Sequence, residues 1–597
     1  MGSSSDRTAD HGSSWLRRYR RAVRLVGLLG AAAVLLELGF VVTEGWRAAL
    51  RPAQATAAAV LALDLLAALR RLEPRWPGRG TEPPMGPYLR RPRLVLRRRW
   101  LEFLHLLVSV ILLAVVLQVP GQAHLAPHAI QAYIVGAVVL RLLKGDARIV
   151  ALGVAPELLL IVSFAVLILG GTSLLLLPRA VQPGVAPLQP LEALFTAVSA
   201  CTVTGLTVRE TGATFSGLGS AVILALIQCG ALGLITLVAL ASVASGRLFS
   251  VPQMVTLKTL FGVRKRTDIR PFLVSVLVLT LGIELVGAVL LHLCLPGHEG
   301  GIGWSLFHSV SAFCNAGFDL GWGVGSDGEA QDLLSLHPAA VGVLLGLIVT
   351  GGLGFPVLRE LGSIERLRAT ASMRSGGLSL HSRLALVSTV VLVLGGWLGL
   401  TVLEWGHALE GEGQVRRILG PLAESISART AGFEAMPGED LSQPGRVLVA
   451  GLMVIGAGPV STGGGIKTVA VVVLLLALAR RLRGRPGFEA FGRPVRRSVV
   501  RAAVVLLASY TLIAGALVGL LGLTDPAFSM GDRIFEVLSA LSTVGFSAGV
   551  AEEAGPRGQL LLCFAMFLGR VGPLALVLML SRSGEKELAE GDSIPIA

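Results

Sequence analysis

Apolar residues fall in blocks of about 20 along this chain, the length that spans the hydrocarbon core of a bilayer as a helix. An N-terminal group of four blocks covers 25–43, 53–70, 100–119 and 128–144; the second carries Asp64, with Pro52 just before it. Eight more follow in pairs: 155–178 with 218–245, 270–295 with 338–361, 383–405 with 446–480, and 498–523 with 558–581. Between the members of each pair lies a shorter apolar segment, at 191–201, 303–313, 418–428 and 531–541. These are too short to cross and too apolar for ordinary loops, so each predicts a re-entrant helix.

Every short segment runs into a glycine: Gly205 in TVTGL, Gly317 in FCNAGF, Gly432 in ARTAGF and Gly545 in STVGFS. The intervals are 112, 115 and 113 residues (317−205, 432−317, 545−432). Phe195, Phe307 and Phe535 stand ten residues before their glycines, and Ser199, Ser311 and Ser539 six before. The third segment breaks this pattern, with Leu422 and Ile426 at the corresponding places. A multi-point match at a near-constant period marks internal duplication. One glycine could be a mere helix cap; four matched ones imply a shared purpose. A pore that strips a cation of water must turn backbone carbonyls toward its axis, in dihedrals that glycine adopts without strain. The short helices aim the negative ends of their dipoles at the ion. The expected fold is an all-α membrane protein with four helix–pore-helix–helix repeats in pseudo-fourfold arrangement around a pore, plus about four extra N-terminal transmembrane helices. The boundaries expected are 1–150 for the N-terminal block, then 151–255, 256–370, 371–490 and 491–597 for the repeats, the last ending in a short cytoplasmic tail.

Composition agrees. The chain is 53% hydrophobic and 15% charged, with mean hydropathy +0.72; a soluble protein of this size could not hide so much apolar surface. The net charge of +14 would suggest nucleic acid in a soluble chain, but the basic residues flank apolar blocks, as the positive-inside rule requires. No nucleic-acid partner is expected; the lipid bilayer is. With a cytoplasmic N-terminus, twelve spans put every pore-helix loop outside, where only ten of the 52 basic residues lie, counting Arg446 at the edge of its span. Arg70–Arg99 contains ten arginines, Arg247–Arg270 six basic residues and Arg480–Arg501 eight arginines, all on the inner side. Both termini are therefore expected in the cytoplasm. Inverted-repeat carriers alternate the orientation of their halves, whereas these four units enter from one side, which disfavours alternating access. Arg17–Arg24 precedes an apolar block without a convincing cleavage site, so that block reads as a retained anchor. The five cysteines have no metal-ligand spacing, and neither a disulfide framework nor a zinc site is expected.

The motifs TVTGL, CNAGF, RTAGF and STVGFS, in this order, resemble the TrkH/KtrB superfamily of K⁺ transporters, microbial relatives of plant HKT proteins. GPVSTGGGIKT (Gly458–Thr468) is similar to the family's glycine-rich interruption in the second helix of the third repeat. FLGRVGPLALVL (Phe567–Leu578) is similar to its last helix, with GRVGPL closer to the Ktr branch. The resemblance covers about 155–581 and leaves an N-terminal extension outside the usual core. It implies a K⁺-uptake subunit in a bacterial inner membrane. The implied filter is Thr202, Val203, Thr204 and Gly205; Cys314, Asn315, Ala316 and Gly317; Thr430, Ala431 and Gly432; Thr543, Val544 and Gly545. Each segment has one glycine where a K⁺ channel's GYG signature has two, which suggests looser discrimination against Na⁺. All four family glycines are present, unlike Na⁺-selective members with serine in the first loop. A homodimer is implied, docked on a cytosolic nucleotide-binding ring like KtrA or TrkA. No P-loop or dinucleotide fingerprint stands in the chain itself, so no bound cofactor is expected; K⁺ is the transported ion and Na⁺ a candidate coupling ion.

The run 458–468 cannot remain regular helix: Pro459 removes a backbone donor, and Gly463, Gly464 and Gly465 are poor helix residues. Either a kinked helix or an intramembrane loop follows, and the resemblance implies a gate beneath the filter, with Pro459, Ser461, Thr462, Gly463, Gly464, Gly465, Lys467 and Arg570. Charges within spans usually face a cavity or a partner. Lys467 has the option of snorkelling to the inner face, while the resemblance puts Arg570 on the pore wall as an electrostatic barrier. Arg429 is expected to turn from the vestibule toward Glu424 or Glu434. A voltage-sensor reading of the N-terminal block fails, because only Arg141 and Lys144 have the needed spacing. Neither a nucleophile–base set nor a metal-ligand set supports an enzyme. The alternative within the family is a Na⁺-permeable or poorly selective member.

Overall fold

The computed structural model describes residues 5–40, 43–70, ten positions between 106 and 137, 156–233, 269–295, 301–322, 332–362, 378–484 except 439, 489–490, 493–494 and 497–572. The chain forms two compact units: Met1–Val154 with Leu177–Arg179 and Thr236–Met254, and Ala155–Leu176 with Ala180–Ile235 and Val255–Ala597.

In the first unit, α1 (Ser5–Gly39) and α2 (Glu44–Arg70) pack closely, because Gly30 leaves no room for even a methyl beside the Ala57 side chain. Val23, Leu61, Tyr133 and Ala137 form their core. A buried polar knot joins them: Gln54 donates to the Glu37 carboxylate at 2.8 Å and Gln131 at 3.2 Å, with Arg51 3.4 Å away. In an apolar setting such groups must satisfy one another. Asp64 lies half-buried on α2. The expected spans 100–119 and 128–144 lie mostly outside the described residues, as do Arg141 and Lys144.

The second unit repeats one theme. A long helix is followed by a short helix that runs into a glycine, and then by a second apolar helix, which is broken in the second and third repeats. These are α3 (Pro156–Leu175), α4 (Pro190–Thr202) and α5 (Gly217–Leu232); α6 (Ile269–Cys294), α7 (Gly301–Cys314), α8 (Pro338–Leu353) and α9 (Phe355–Leu361); α10 (Leu380–Glu404), α11 (Gln414–Ser427), α12 (Gln443–Val454) and α13 (Thr468–Leu482); α14 (Arg497–Thr524), α15 (Met530–Ser542) and α16 (Pro556–Val571). Starts are conventional: Pro190 occupies the first turn of α4 with a Gln189/Glu192 capping box, and Ser529 caps α15 by accepting from the Asp532 N–H. A two-residue hairpin, Glu489–Ala490 against Arg493–Pro494, is the sole sheet among the described residues.

One expected span is corrected. The block 338–361 is not a single helix: it bends by 106° between α8 and α9, at Gly354 with φ +94° followed by Pro356 after Phe355. A left-handed glycine and a proline cannot both continue a helix. The block 446–480 divides into α12 and α13, and 455–467 is non-helical. The tails of 218–245 and 558–581 lie outside the described residues.

Three described helices are long and apolar enough to cross a bilayer: Pro271–Cys294, Leu380–Glu404 and Arg497–Thr524. Only 33%, 22% and 33% of their most apolar windows are buried. Leu293, Val402 and Leu523 are 68%, 76% and 81% exposed. So much exposed apolar surface requires lipid as its solvent. The interior, by contrast, is packed with Leu400, Val449, Leu452, Phe535 and Phe546 around the glycine turns.

Candidate functional site

All four short helices end in a left-handed turn before the glycine. In α4, α7 and α15 the N–H one residue before the glycine reaches back to a serine carbonyl: Thr204 to Ser199 at 2.9 Å, Ala316 to Ser311 at 2.8 Å and Val544 to Ser539 at 2.9 Å. The N–H two before the glycine bonds to Ala200, Ala312 or Ala540. This double closure is a Schellman end, and it forces a left-handed residue. Val203, Asn315, Thr430 and Thr543, each two before its glycine, have φ +59°, +58°, +78° and +52°. The third segment shares the turn despite its broken sequence register. Ala431 also donates to a serine carbonyl, Ser427 at 2.8 Å, but that serine is five residues before the glycine rather than six. The segment is thus one residue shorter between helix and glycine, which is why Leu422 and Ile426 fall at the expected positions.

The glycines close a ring. Gly205, Gly317, Gly432 and Gly545 have φ between +70° and +104°. A methyl on Gly205 would meet the Ala316 carbonyl oxygen at 2.6 Å, and one on Gly317 the Ala431 oxygen at 3.0 Å. On Gly432 it would strike the Val544 oxygen, and on Gly545 the Thr204 oxygen. Each glycine therefore abuts the carbonyl just before the next glycine, in cyclic order. Positive φ alone costs other residues about 1–2 kcal/mol, and here there is no space either. Thr202–Thr204, Cys314–Ala316, Thr430–Ala431 and Thr543–Val544 are all fully buried around this ring.

Three of the four side chains three before the glycine reach neighbouring helices; the fourth, Thr202, keeps its hydroxyl within its own turn, 2.8 Å from that of Thr204. Cys314 Sγ lies 3.5 Å from Glu284 of α6 and 3.7 Å from Gln228 of α5, and Gln228 donates to Glu284 at 3.2 Å. Ser542 shares a 2.5 Å bond with Tyr510 of α14. Arg429 turns to α10, donating to Thr389 at 3.4 Å. This corrects the expected pairing with Glu424 or Glu434. Glu424 instead accepts the Ala435 and Met436 N–H groups, and Glu434 that of Ser547. The Arg429 Nε has no partner among the described residues. Sequence reasoning missed Glu284 and Gln228, which have no motif around them.

It also missed a second glycine set. Gly230, Gly351 and Gly569 press against the carbonyls of Cys201, Phe313 and Leu541, each four before a ring glycine. Three residues later α5, α8 and α16 end at Gly233, Gly354 and Gly572, all at positive φ. The signal was legible as GALG, GGLG and GRVG.

The segment 455–467 is an ordered loop held from several sides. Gly456 donates to Ile466 at 3.0 Å and Gly458 to Gly352 at 2.8 Å; Phe355 donates to Val460 at 3.1 Å. Its residues address successive turns of the ring. Thr462 donates to the Phe313 carbonyl at 3.1 Å, Gly463 abuts the Thr430 hydroxyl and Gly464 the Thr543 hydroxyl. Arg570 donates to the Thr462 carbonyl at 2.5 Å and to Gly230 at 2.7 Å, tying the loop to the end of α5. The Lys467 ammonium donates to the Gly463 carbonyl at 2.8 Å. Pro459, Ser461 and Gly465 complete the loop, with Gly465 at φ +67° against Gly456.

Comparison with known proteins gives this geometry a family. The profile of TrkH, described as a cation transport protein, matches residues 155–588. The potassium/sodium uptake protein NtpJ of Enterococcus hirae is 32% identical over 433 residues, 71% of this chain and 93% of that protein. Ktr system potassium uptake protein B of Vibrio alginolyticus is 34% identical, over 72% of this chain and 92% of its own length. The crystal structure of the potassium transporter TrkH from Vibrio parahaemolyticus has a TM-score of 0.57, covering 82% of this chain and 99% of that one; at 18% identity it shows the fold. The chain is thus a multi-pass membrane protein and belongs to the TrkH/KtrB superfamily of cation transport proteins.

Proposed function

We propose that the chain is the pore-forming membrane subunit of a Ktr/Trk-type K⁺ uptake system. One observation carries this: four fully buried, left-handed glycine turns close on one another in cyclic order, each against the carbonyl before the next glycine. Such turns leave carbonyls free to replace the hydration shell of a cation. The short helices end at these turns, so their negative dipole ends favour a cation. The filter is Thr202–Gly205, Cys314–Gly317, Thr430–Gly432 and Thr543–Gly545, in four pseudo-fourfold repeats with the boundaries expected above. The 455–467 loop is the gate: its contacts with Thr430, Thr543 and Phe313 are those of a plug under the ring, and Arg570 holds it. Positive charge on Arg570 adds an electrostatic barrier near the gate loop.

The names of the relatives support K⁺ as cargo, and the Ktr system proteins support assembly with a regulatory subunit. We extend this to a homodimer on a cytosolic nucleotide-binding ring, in a bacterial inner membrane with both termini inside. NtpJ, a potassium/sodium uptake protein, favours a second reading in which Na⁺ also permeates or couples. Expression in a K⁺-uptake-deficient host tests the proposal. Growth at low K⁺ is expected, with Na⁺ a weak competitor; strong Na⁺ competition would favour the second reading. Gly205→Ser should lower K⁺ over Na⁺ preference by about tenfold or more, the scale expected when one carbonyl site is distorted by 1–2 kcal/mol. An unchanged preference would remove this filter assignment.

A further inference from the structure

Beyond each ring glycine the chain runs back beside its own short helix as an extended, irregular segment. Three of the four segments are braced at the same place, by a buried side chain of that helix. His308 Nε2 accepts the Leu320 N–H at 3.3 Å. Glu424 accepts the Ala435 and Met436 N–H groups at 3.1 and 3.2 Å. Glu536 accepts the Ala548 N–H at 2.9 Å and the Ser547 hydroxyl at 3.1 Å. Leu320, Ala435 and Ala548 each stand three residues after a ring glycine. His308 and Glu536 stand nine before it and Glu424 eight, in keeping with the one-residue shortening of the third segment. All three acceptors are at most 1% exposed.

Their chemistry is that of an acceptor. Nδ1 of His308 lies 3.0 Å from the Trp304 carbonyl, which can only accept, and Nε2 faces an N–H, which can only donate. Only the neutral ring with its proton on Nδ1 satisfies both. Trp304 stacks on the imidazole at 3.8 Å and keeps the ring in place. A His thus does the work that two Glu do elsewhere, so a negative charge is not the common property. Loop one differs. Thr196 holds the corresponding position and turns its hydroxyl back to the Glu192 carbonyl. There the outer segment is tied by Arg209 to Glu192 at 2.9 Å, a pair 26% and 19% exposed, and exposed pairs hold geometry weakly.

We propose that His308, Glu424 and Glu536 are positioning residues for ion selectivity, acting as hydrogen-bond acceptors that fix the outgoing segments of loops two, three and four. This rests on the filter reading above. Whether selectivity comes from cavity size or from the number of carbonyls, it depends on where those carbonyls stand, and a segment freed three residues from the glycine lets them move.

The test is Na⁺ competition against K⁺ uptake, measured in full-length variants at matched membrane abundance. Glu424→Gln, Glu536→Gln and His308→Gln keep an acceptor oxygen and should stay within about twofold of the parent preference. Glu424→Leu, Glu536→Leu and His308→Phe remove it and should lower the preference roughly tenfold, the scale of one hydrogen bond to a buried group. Thr196→Val should change little. If the Leu variants fail to accumulate, Ser547→Ala removes one Glu536 contact gently and should lower the preference severalfold. Equal losses in the Gln and Leu variants would mean that charge matters, not acceptance, and would overturn the proposal. So would full preference in the acceptor-free variants while Gly205→Ser still disturbs it. Indifference to Gly205→Ser as well would instead sink the filter reading itself.

Discussion

Loops three and four start from the same plan and diverge by one residue. In loop four the helix end is complete: the Ser539 carbonyl accepts from Val544, its hydroxyl accepts the Gly545 N–H at 3.1 Å, and Ser542 pairs with Tyr510. In loop three the Ser427 carbonyl still accepts from Ala431, but the Ser427 hydroxyl has no partner among the described residues, and the place of Ser542 is taken by Arg429. Both loops nevertheless reach the same left-handed turn and the same place in the ring. The backbone bond and the glycine are therefore the fixed requirements, and the side-chain bonds around them are variable reinforcement. The variable loop is also the one whose second helix is split by the 455–467 loop. Its partner unit supplies Arg570, which holds the interruption in place.

Cutting that cross-link is the strongest way to break the contrast. Arg570→Ala removes two short charge-assisted bonds, to Thr462 and Gly230, and such bonds exceed neutral ones in strength. With the tie gone, the loop should leave the ring more often, and K⁺ flux should rise roughly tenfold. Shortening Ser461–Gly465 should raise flux in the same direction. Flux that stays level or falls in both variants, at normal membrane abundance, would show that the loop is scaffold and not barrier.

A smaller effect is expected three residues before the glycines. Arg429 is a cation with one 3.4 Å hydrogen bond, only 7% exposed. Replacing a poorly paired buried charge with an apolar chain of similar length is commonly neutral or stabilising. Arg429→Met should raise the melting temperature of the detergent-solubilised protein by about 2–4 °C. Ser542→Ala, its counterpart, should lower it, because the Tyr510 hydroxyl is left buried and unpaired. A large destabilisation by Arg429→Met would point to an anionic partner for this residue.

Much of this was legible in the sequence, for physical reasons. Apolar block length marks helices such as α6, α10 and α14, because lipid tolerates nothing else at that depth. The ring glycines stood out because positive φ and close backbone approach each restrict the residue type, and four copies made the restriction visible. The contacts between units were hidden. Nothing local tells that Arg570 reaches Gly230, 340 residues away in sequence, or that Arg429 prefers Thr389 to a carboxylate. The bend after Leu353 escaped because Gly and Pro in a span read equally well as a kink. The break in the third register was visible but its cause was not, because a fixed offset from the glycine cannot identify a one-residue deletion; the serine was present, one place along.

The finest test of the contrast uses those serines. In Ser539→Ala the Gly545 N–H loses its acceptor inside a fully buried turn, which should cost about 1 kcal/mol, within the range for a single hydrogen bond. Ser427→Ala removes a hydroxyl that bonds to nothing described, so its stability should match the parent within about 0.5 kcal/mol. Measured side by side by thermal melting, the two alanines should separate clearly, with Ser199→Ala joining Ser539→Ala because the Gly205 N–H depends on Ser199 in the same way at 3.1 Å. Equal behaviour at all three would mean that the hydroxyls contribute nothing to the turn. The serine carbonyl, which alanine retains, would then be the whole reason the helix ends where the glycine needs it.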